Sequence, residues 1–265
     1  MIDLSIIILT WNTSKITKKC VDSLLKNIKN IRYEIIVVDN GSTDNTKALF
    51  ADYKSVKYLN TGSNLGFSKG NNLGAKITSG KYYLFLNSDM EYVSGLDKML
   101  SYLKNNPKIG LIGPQFLNLD LSPQGSIFPS QTAINALKEF WFNQKTFSKY
   151  FQTNQSSVHS ISGGAVLIRK EIFHKVKGWN EKYFFYYEDM DFCRRVRSLD
   201  LEIYYFPDCR FIHRHGTSVN LLPGKNTGYQ HLVAGSIKYH GVLIHYLINF
   251  IIWSGQKWHK LLSLK

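Results

Sequence analysis

The chain has 265 residues, 44% of them hydrophobic, enough for one α/β domain with a sizeable core, and it carries no internal repeat or low-complexity tract. Lys and Arg number 33 against 19 acidic residues, and the net charge of +14 points to a negative partner: nucleic acid, an anionic membrane surface or a phosphorylated substrate. Cys20, Cys193 and Cys209 lie far apart without a Cys-x-x-Cys pair, which excludes a disulfide framework and a thiolate zinc site and fits a reducing cytoplasm.

The start, Met1-Ile2-Asp3-Leu4, lacks the basic opening and cleavage site of a signal peptide, so the protein is expected to stay where it is made. Residues 5–9 and 34–39 are runs rich in Ile and Val that suit strands buried on both faces of a parallel sheet. Between them Ile16, Cys20, Val21, Leu24, Leu25 and Ile28 share one helical face, with Thr13 or Ser14 as the expected cap. A strand at 56–59, a Gly-containing loop, a helix from near Ser68 and a strand at 82–86 continue the alternation. This order argues for a doubly wound α/β domain, whose ligands bind beyond the carboxyl ends of the strands.

After Asn106-Pro107 the alternation loosens, and residues 116–157 read as loops plus a small hairpin or helical insertion. Order returns with a strand at 164–168, helices from about Lys170 and Glu188, and strands near 203–206 and 210–213. The apolar stretch 242–253 is interrupted by His245 and Asn249 and falls short of the roughly 20 residues that a spanning helix needs.

Chemistry is expected at the strand ends. The first strand ends in Thr10-Trp11-Asn12. The second ends in Asp39, whose carboxylate binds either a nucleotide or its own loop, where Ser42 or Asp44 can cap the next helix. The loop 61–72 contains Asn64, Gly66, Phe67 and Asn71, and its glycines and amides suit either a close ligand or an ordinary turn. Asn87-Ser88-Asp89 places one hard oxygen ligand in the crevice, and magnesium or manganese commonly binds through one or two carboxylates plus substrate phosphates.

Further on, Gly163-Gly164 offers a surface without bulky side chains, and Trp179 suits either a sugar face or the core. In Glu188-Asp189-Met190-Asp191, a helix starting near Glu188 turns Asp189 inward with Phe192, Cys193 and Val196. It leaves Asp191 near Arg194 and Arg195, where an i,i+4 pair is the alternative. An inward carboxylate at a helix start is expected to be a general base, worth roughly 10² to 10⁴ in rate. His213-Arg214-His215 closes the last strand with two candidate metal or phosphate ligands and a cation.

Together the stretches 5–12, 35–44, 64–75, 82–89, 162–170, 178–195 and 211–218 resemble the family-2 inverting glycosyltransferases of the GT-A fold, most of all the bacterial rhamnosyltransferase-like branch. The resemblance implies an α/β fold of GT-A type: a doubly wound, mostly parallel central sheet flanked by helices, with a small antiparallel element and a C-terminal helical extension. It implies a catalytic domain over 1–220, with a nucleotide-sugar half at 1–110 and an acceptor and base half at 111–220, and an extension over 221–265. The expected activity is transfer of a sugar, rhamnose by analogy, from a nucleotide-diphospho-sugar to a hydroxyl of a glycan or polyprenyl-diphosphate-linked acceptor in cell-surface polysaccharide synthesis.

By the same resemblance Asp39 contacts the base, and Thr10, Asn12, Asn64 and Gly66 shape the nucleotide pocket. Trp11, Phe67, Asn71, Asn87, Ser88, Gly163 and Gly164 are expected to join them around the donor. Asp89, with His213 or His215, is expected to hold Mg²⁺ or Mn²⁺ against the diphosphate. Asp189 deprotonates the acceptor, with Glu188, Trp179 and Asp191 beside it. One departure is Asn87, which stands where many relatives carry the first carboxylate of Asp-x-Asp.

That departure supports the alternative of a non-catalytic sugar-nucleotide or glycan-binding protein. A sugar-phosphate nucleotidyltransferase would need a basic Gly-rich loop after the first strand, and Thr10-Trp11-Asn12-Thr13 is not one. The basic residues are dispersed and form no nucleic-acid recognition motif, so the charge is assigned to anionic phospholipid and a phosphorylated acceptor. Residues 238–265 are expected to lie along a membrane surface, or to pack on the domain or on a second subunit of a homo-oligomer. The expected location is cytoplasmic, peripheral at the inner face of the cell membrane.

Overall fold

The computed structural model describes residues 2–51, 53–214 and 226–263. The first half runs β1 (Leu4–Thr10), α1 (Ser14–Asn27), β2 (Tyr33–Asp39), α2 (Thr46–Ala51), β3 (Val56–Asn60), α3 (Gly66–Lys76), β4 (Tyr82–Asn87), β5 (Met90–Ser94), α4 (Leu96–Asn105) and β6 (Ile109–Leu117). An insertion follows with β7 (Pro123–Gln124), β8 (Ile127–Phe128), α5 (Ala133–Phe142), β9 (Ser156–Val158) and β10 (Ser160–Ile161). The chain then forms β11 (Ala165–Arg169), α6 (Lys170–Lys175), α7 (Glu188–Arg197), β12 (Glu202–His213), α8 (Thr227–His240) and α9 (Val242–Leu262).

The main sheet has the order β3-β2-β1-β4-β11-β6-β12-β5, and β8 and β10 pair in a small antiparallel sheet of their own. β1, β2, β3, β4, β6 and β12 run one way, and β11 is wedged antiparallel between β4 and β6. Side chains alternate across a strand, so an unbroken apolar run needs cover on both faces. Leu4, Ile6 and Ile8 of β1 pack with Cys20, Val21 and Leu24 of α1 and Leu103 of α4. Ile7 faces the other layer, with Phe173 of α6 and Phe192 and Val196 of α7. Each fully buried Ile or Leu contributes about 1.5–3 kcal/mol, so the two layers hold the strand ends in fixed register.

Two expectations change, and for the insertion one of its two readings, the helical one, is found. Thr13 stands at the N-cap of α1 without a side-chain cap bond, and the Ser14 N–H instead donates to Asp44 Oδ2 at 2.9 Å, so the cap comes from the next loop. The strands expected near 203–206 and 210–213 are one strand, β12, whose register against β6 shifts between Phe206 and Arg210, opposite Pro114 and Gln115. Pro207 and Pro114 each lack an N–H for the ladder, which accounts for the irregularity there. The insertion holds a ten-residue helix, α5, which packs on α9; Trp141 stacks on Trp258 at 6.1 Å, and its indole N–H donates to the Ile251 carbonyl.

Among the described residues no helix is long and apolar enough to cross a membrane. The boundary expected at 220, and His215, lie outside the described residues.

Candidate active site

A cleft of about 420 Å³ opens at the carboxyl ends of β1 and β4. Its floor is organised by hydroxyls: Thr10 shares hydrogen bonds with Thr13 at 2.9 Å and Thr17 at 2.7 Å, and Thr13 reaches Ser88 at 3.1 Å. Thr10, Trp11, Asn64, Gly66, Phe67, Asn87, Ser88, Gly163 and Gly164 all line the cleft. Nine of the residues expected around the donor therefore meet in one place.

Gly66 is required by geometry. Its φ is +81°, and a Cβ there would stand 2.7 Å from the Phe184 carbonyl oxygen, which accepts the Phe67 N–H at 2.8 Å. This contact brings the start of α3 against the aromatic segment that leads into α7.

Three expected donor contacts lie behind the wall rather than on it. Asp39 is fully buried, accepting the Ser42 N–H at 2.8 Å, the Asn60 amide at 3.1 Å and the Tyr58 hydroxyl, so its carboxylate organises its own loops. Asn12, at φ +53°, accepts the Thr43 N–H at 2.8 Å and laces the same loops. Asn71 is buried in α3 and donates to the Phe67 carbonyl.

On the opposite wall Tyr186 and Tyr187 both have left-handed φ values, +69° and +67°, a strained pair that ends at the start of α7. α8 presses on this turn: a Cβ at Gly235 would stand 2.7 Å from the Tyr186 carbonyl oxygen. Asp189 then sits in the first turn of α7 and faces the cleft. Its Oδ2 accepts the Gly163 N–H at 3.0 Å and its Oδ1 the Met190 N–H at 2.8 Å. Burial raises the Asp189 carboxyl above the ordinary range, against the pull of those two N–H groups and the Lys149 charge. Glu188 is 6% exposed and its Oε2 has no hydrogen-bond partner among the described residues. Burial, reinforced by the Asp189 charge, pushes the Glu188 carboxyl well above its ordinary value.

Two acceptor-side expectations are corrected. Trp179 is 1% exposed, stacked on Phe192 at 4.2 Å with edges of Phe67 and Phe85 against it, and is a core residue. Asp191 turns away from the cleft and is buried between Arg194 at 2.8 Å and Arg195 at 2.7 Å, the ion pair that its spacing offered. The two arginines stay partly accessible to water, so Asp191→Asn loses mainly charge-assisted hydrogen bonds and is expected to cost about 1.5 kcal/mol in urea unfolding and to leave the acceptor KM unchanged.

Asp89 and His213 close the third side. The His213 Nε2 lies 3.6 Å from Asp89 Oδ1, and the Arg214 N–H ties the chain back to the Asp89 carbonyl at 3.0 Å. Gln124 donates its amide to Asn118 Oδ1, so its Oε1 accepts from His213 Nδ1 at 2.6 Å and holds the ring with Nε2 on the Asp89 side. Arg214 pairs with Glu91 at 2.6 Å.

The profile of glycosyl transferase family 2 matches residues 5–177, and that of the galactosyltransferase N-terminal domain matches 146–217. The chain belongs to glycosyl transferase family 2. The protein is a glycosyltransferase with the GT-A fold. It is 27% identical over 223 residues to the N-acetylglucosaminyl-diphospho-decaprenol L-rhamnosyltransferase of Mycobacterium tuberculosis, covering 74% of this chain and 71% of that one. It is 26% identical to the dTDP-rhamnosyl transferase RfbF of Shigella flexneri over 79% of this chain and 68% of that one. Among solved structures, GalNAc-T7 with UDP, GalNAc and Mn²⁺ superposes with a TM-score of 0.64 at 15% identity, covering 80% of this chain and 44% of that chain.

Family 2 implies a divalent ion, and the transferase has a donor set that fits one. A hard carboxylate oxygen and an oriented imidazole nitrogen 3.6 Å apart are of the donor types that would hold such an ion together with phosphate and water. Several cleft residues escaped the sequence reading: Phe128, Lys149, Phe184, Phe185 and Leu232. The aromatic run 184–186, directly before the acidic cluster, was the one local signal for any of them.

Proposed function

We propose that the transferase moves rhamnose from a nucleotide-diphospho-sugar, with inversion, to a hydroxyl of an acceptor carried on a polyprenyl diphosphate in cell-surface polysaccharide synthesis. The observation that carries this reading is that the Asp189 carboxylate and the Asp89–His213 pair line one cleft. The names of the mycobacterial and Shigella relatives support the sugar and the lipid carrier.

Asp189 takes the proton of the acceptor hydroxyl as its oxygen bonds to the anomeric carbon. The bond from that carbon to the diphosphate oxygen breaks on the opposite face, and the nucleoside diphosphate leaves. Glu188, beside Asp189 in the cleft wall, is placed to position the acceptor. Asp89 and His213 would hold the divalent ion, which when bound offsets the charge growing on the departing diphosphate. Asn87 lines the donor side as an amide, consistent with a single carboxylate ligand. In this reading residues 1–220 are the catalytic unit and 221–265 the extension.

The decisive measurement is a panel of nucleotide sugars with lipid-diphosphate and simple glycoside acceptors, with and without Mg²⁺ or Mn²⁺. Turnover with dTDP-rhamnose and an anomer-inverted product is expected. Turnover with another sugar alone refutes rhamnose, and binding without turnover restores the non-catalytic reading.

The extension supports a membrane-surface partner. Leu243, Tyr246, Phe250 and Trp253 of α9 are 84%, 63%, 62% and 57% exposed and recur at three- or four-residue steps, an apolar stripe turned outward. α9 contains no acidic residue and carries Lys257 and Lys260 near its end, as an interfacial helix on anionic lipid requires. Phe250→Ser with Trp253→Ser is expected to weaken sedimentation with anionic vesicles by about tenfold or more. Unchanged sedimentation, with loss of a dimer in light scattering, would assign the stripe to a second subunit.

A further inference from the structure

Lys149 lies in the insertion, after α5, and its side chain enters the cleft. Among the described residues lining that cleft it is the only Lys or Arg. Its ammonium stands 5.2 Å from the ring centre of Phe128 and 5.8 Å from that of Phe116, and donates to Ser162 Oγ at 3.3 Å. No ion pair to Lys149 occurs among the described residues. Two ring faces and one hydroxyl leave an ammonium with three N–H donors capacity for an anionic ligand. Burial lowers its pKa from the usual value, while the charge of Asp189 acts the other way.

The position links both halves of the site. Phe116, under the ammonium, also packs on His213 at 5.3 Å, and His213 neighbours Asp89. Ser162, on its other side, precedes Gly163, whose N–H holds Asp189. A cation there meets a ligand that spans the ground between the base and the Asp89–His213 pair.

We propose that Lys149 is a phosphate-binding residue of the cleft, donating to an oxygen of a diphosphate. That chemistry has two sources, the nucleoside diphosphate of the donor and the diphosphate of a lipid-linked acceptor; the second rests on the function proposed above. Charge-assisted hydrogen bonds to phosphate are the strong ones, and the apolar walls of Phe116 and Phe128 keep this one from being dispersed in water.

Calorimetric titration of Lys149→Met with a nucleoside diphosphate, and separately with the corresponding nucleoside, tests the donor source. A loss of about tenfold or more for the diphosphate, none for the nucleoside, and retention in Lys149→Arg are expected if the donor supplies the phosphate. The acceptor source is read from KM: a rise of similar size for a diphosphate-linked acceptor and none for a neutral glycoside. No change in either arm overturns the proposal. If Lys149→Met fails to fold, acylation of Lys149 in the wild-type protein by an amine-reactive reagent decides instead. Protection by inorganic pyrophosphate or nucleoside diphosphate supports the site, and labelling that neither slows overturns it. The binding and labelling readouts do not require turnover, so a wild-type protein without transferase activity refutes the proposed function and leaves this site standing.

Discussion

Asp189→Asn is expected to lower the transfer rate by about 10²- to 10⁴-fold while nucleoside diphosphate affinity stays within about twofold. The amide keeps an oxygen for the Gly163 N–H, so the start of α7 keeps its place. What disappears is the lone pair that accepts the acceptor proton. The pH profile supplies an independent readout. Burial raises the Asp189 carboxyl, and only its deprotonated form is a base, so the wild-type rate should fall with decreasing pH at a midpoint above the ordinary Asp value of about 3.9. That acid limb should vanish from the residual rate of the variant. Wild-type rates in Asp189→Asn would remove the base assignment.

Beside it, Glu188 has the opposite meaning for stability. Its proton is held more tightly in the folded chain than in the unfolded one, so its stabilising contribution is full below the unfolded value and is lost as pH rises through the raised folded value.

Asp89→Asn is expected to reduce kcat/KM by about 10²- to 10³-fold and to abolish the stimulation by Mg²⁺ or Mn²⁺. In this chain Asn87 already occupies the first acidic position of Asp-x-Asp, so Asp89 is the single carboxylate of the pair. Its imidazole neighbour is oriented through Gln124, and losses of about 10- to 100-fold are typical when such support is removed, so Gln124→Leu should show a smaller defect of the same kind. Titration of Mn²⁺ into protein saturated with nucleoside diphosphate checks both. Equal manganese affinity in wild type and Asp89→Asn would exclude Asp89 as a ligand.

The parallel half of the sheet was legible because β1, β2 and β4 are unbroken apolar runs with polar tips, and strand ends of such folds gather ligands. The inward turn of Asp189 was legible from helical register. β6 was not, since Gly110, Gly113 and Pro114 interrupt its apolar run. In the folded chain all nine of its residues are buried, and Gly110 and Gly113 are there because Val196 and Ile161 fill the space of a Cβ. Trp179 and Asp191 were open between two roles, and only tertiary packing could choose. Trp179 went to the core because Phe192 lies one ring thickness away, and Asp191 to its ion pair because α7 turns that face from the cleft. Lys149 was invisible because its aromatic partners stand 33 and 21 residues before it in a stretch without period, at Phe116 and Phe128.

The five tryptophans divide the molecule optically. Trp11 lines the donor cleft, Trp179 is sealed in the core, Trp141 is stacked on Trp258, and Trp253 stands on the outward stripe of α9. Intrinsic emission should therefore separate three events in one unlabelled sample: quenching of Trp11 as a nucleotide enters, a blue shift of Trp253 as lipid covers it, and a red shift of Trp179 only when the sheet itself comes apart.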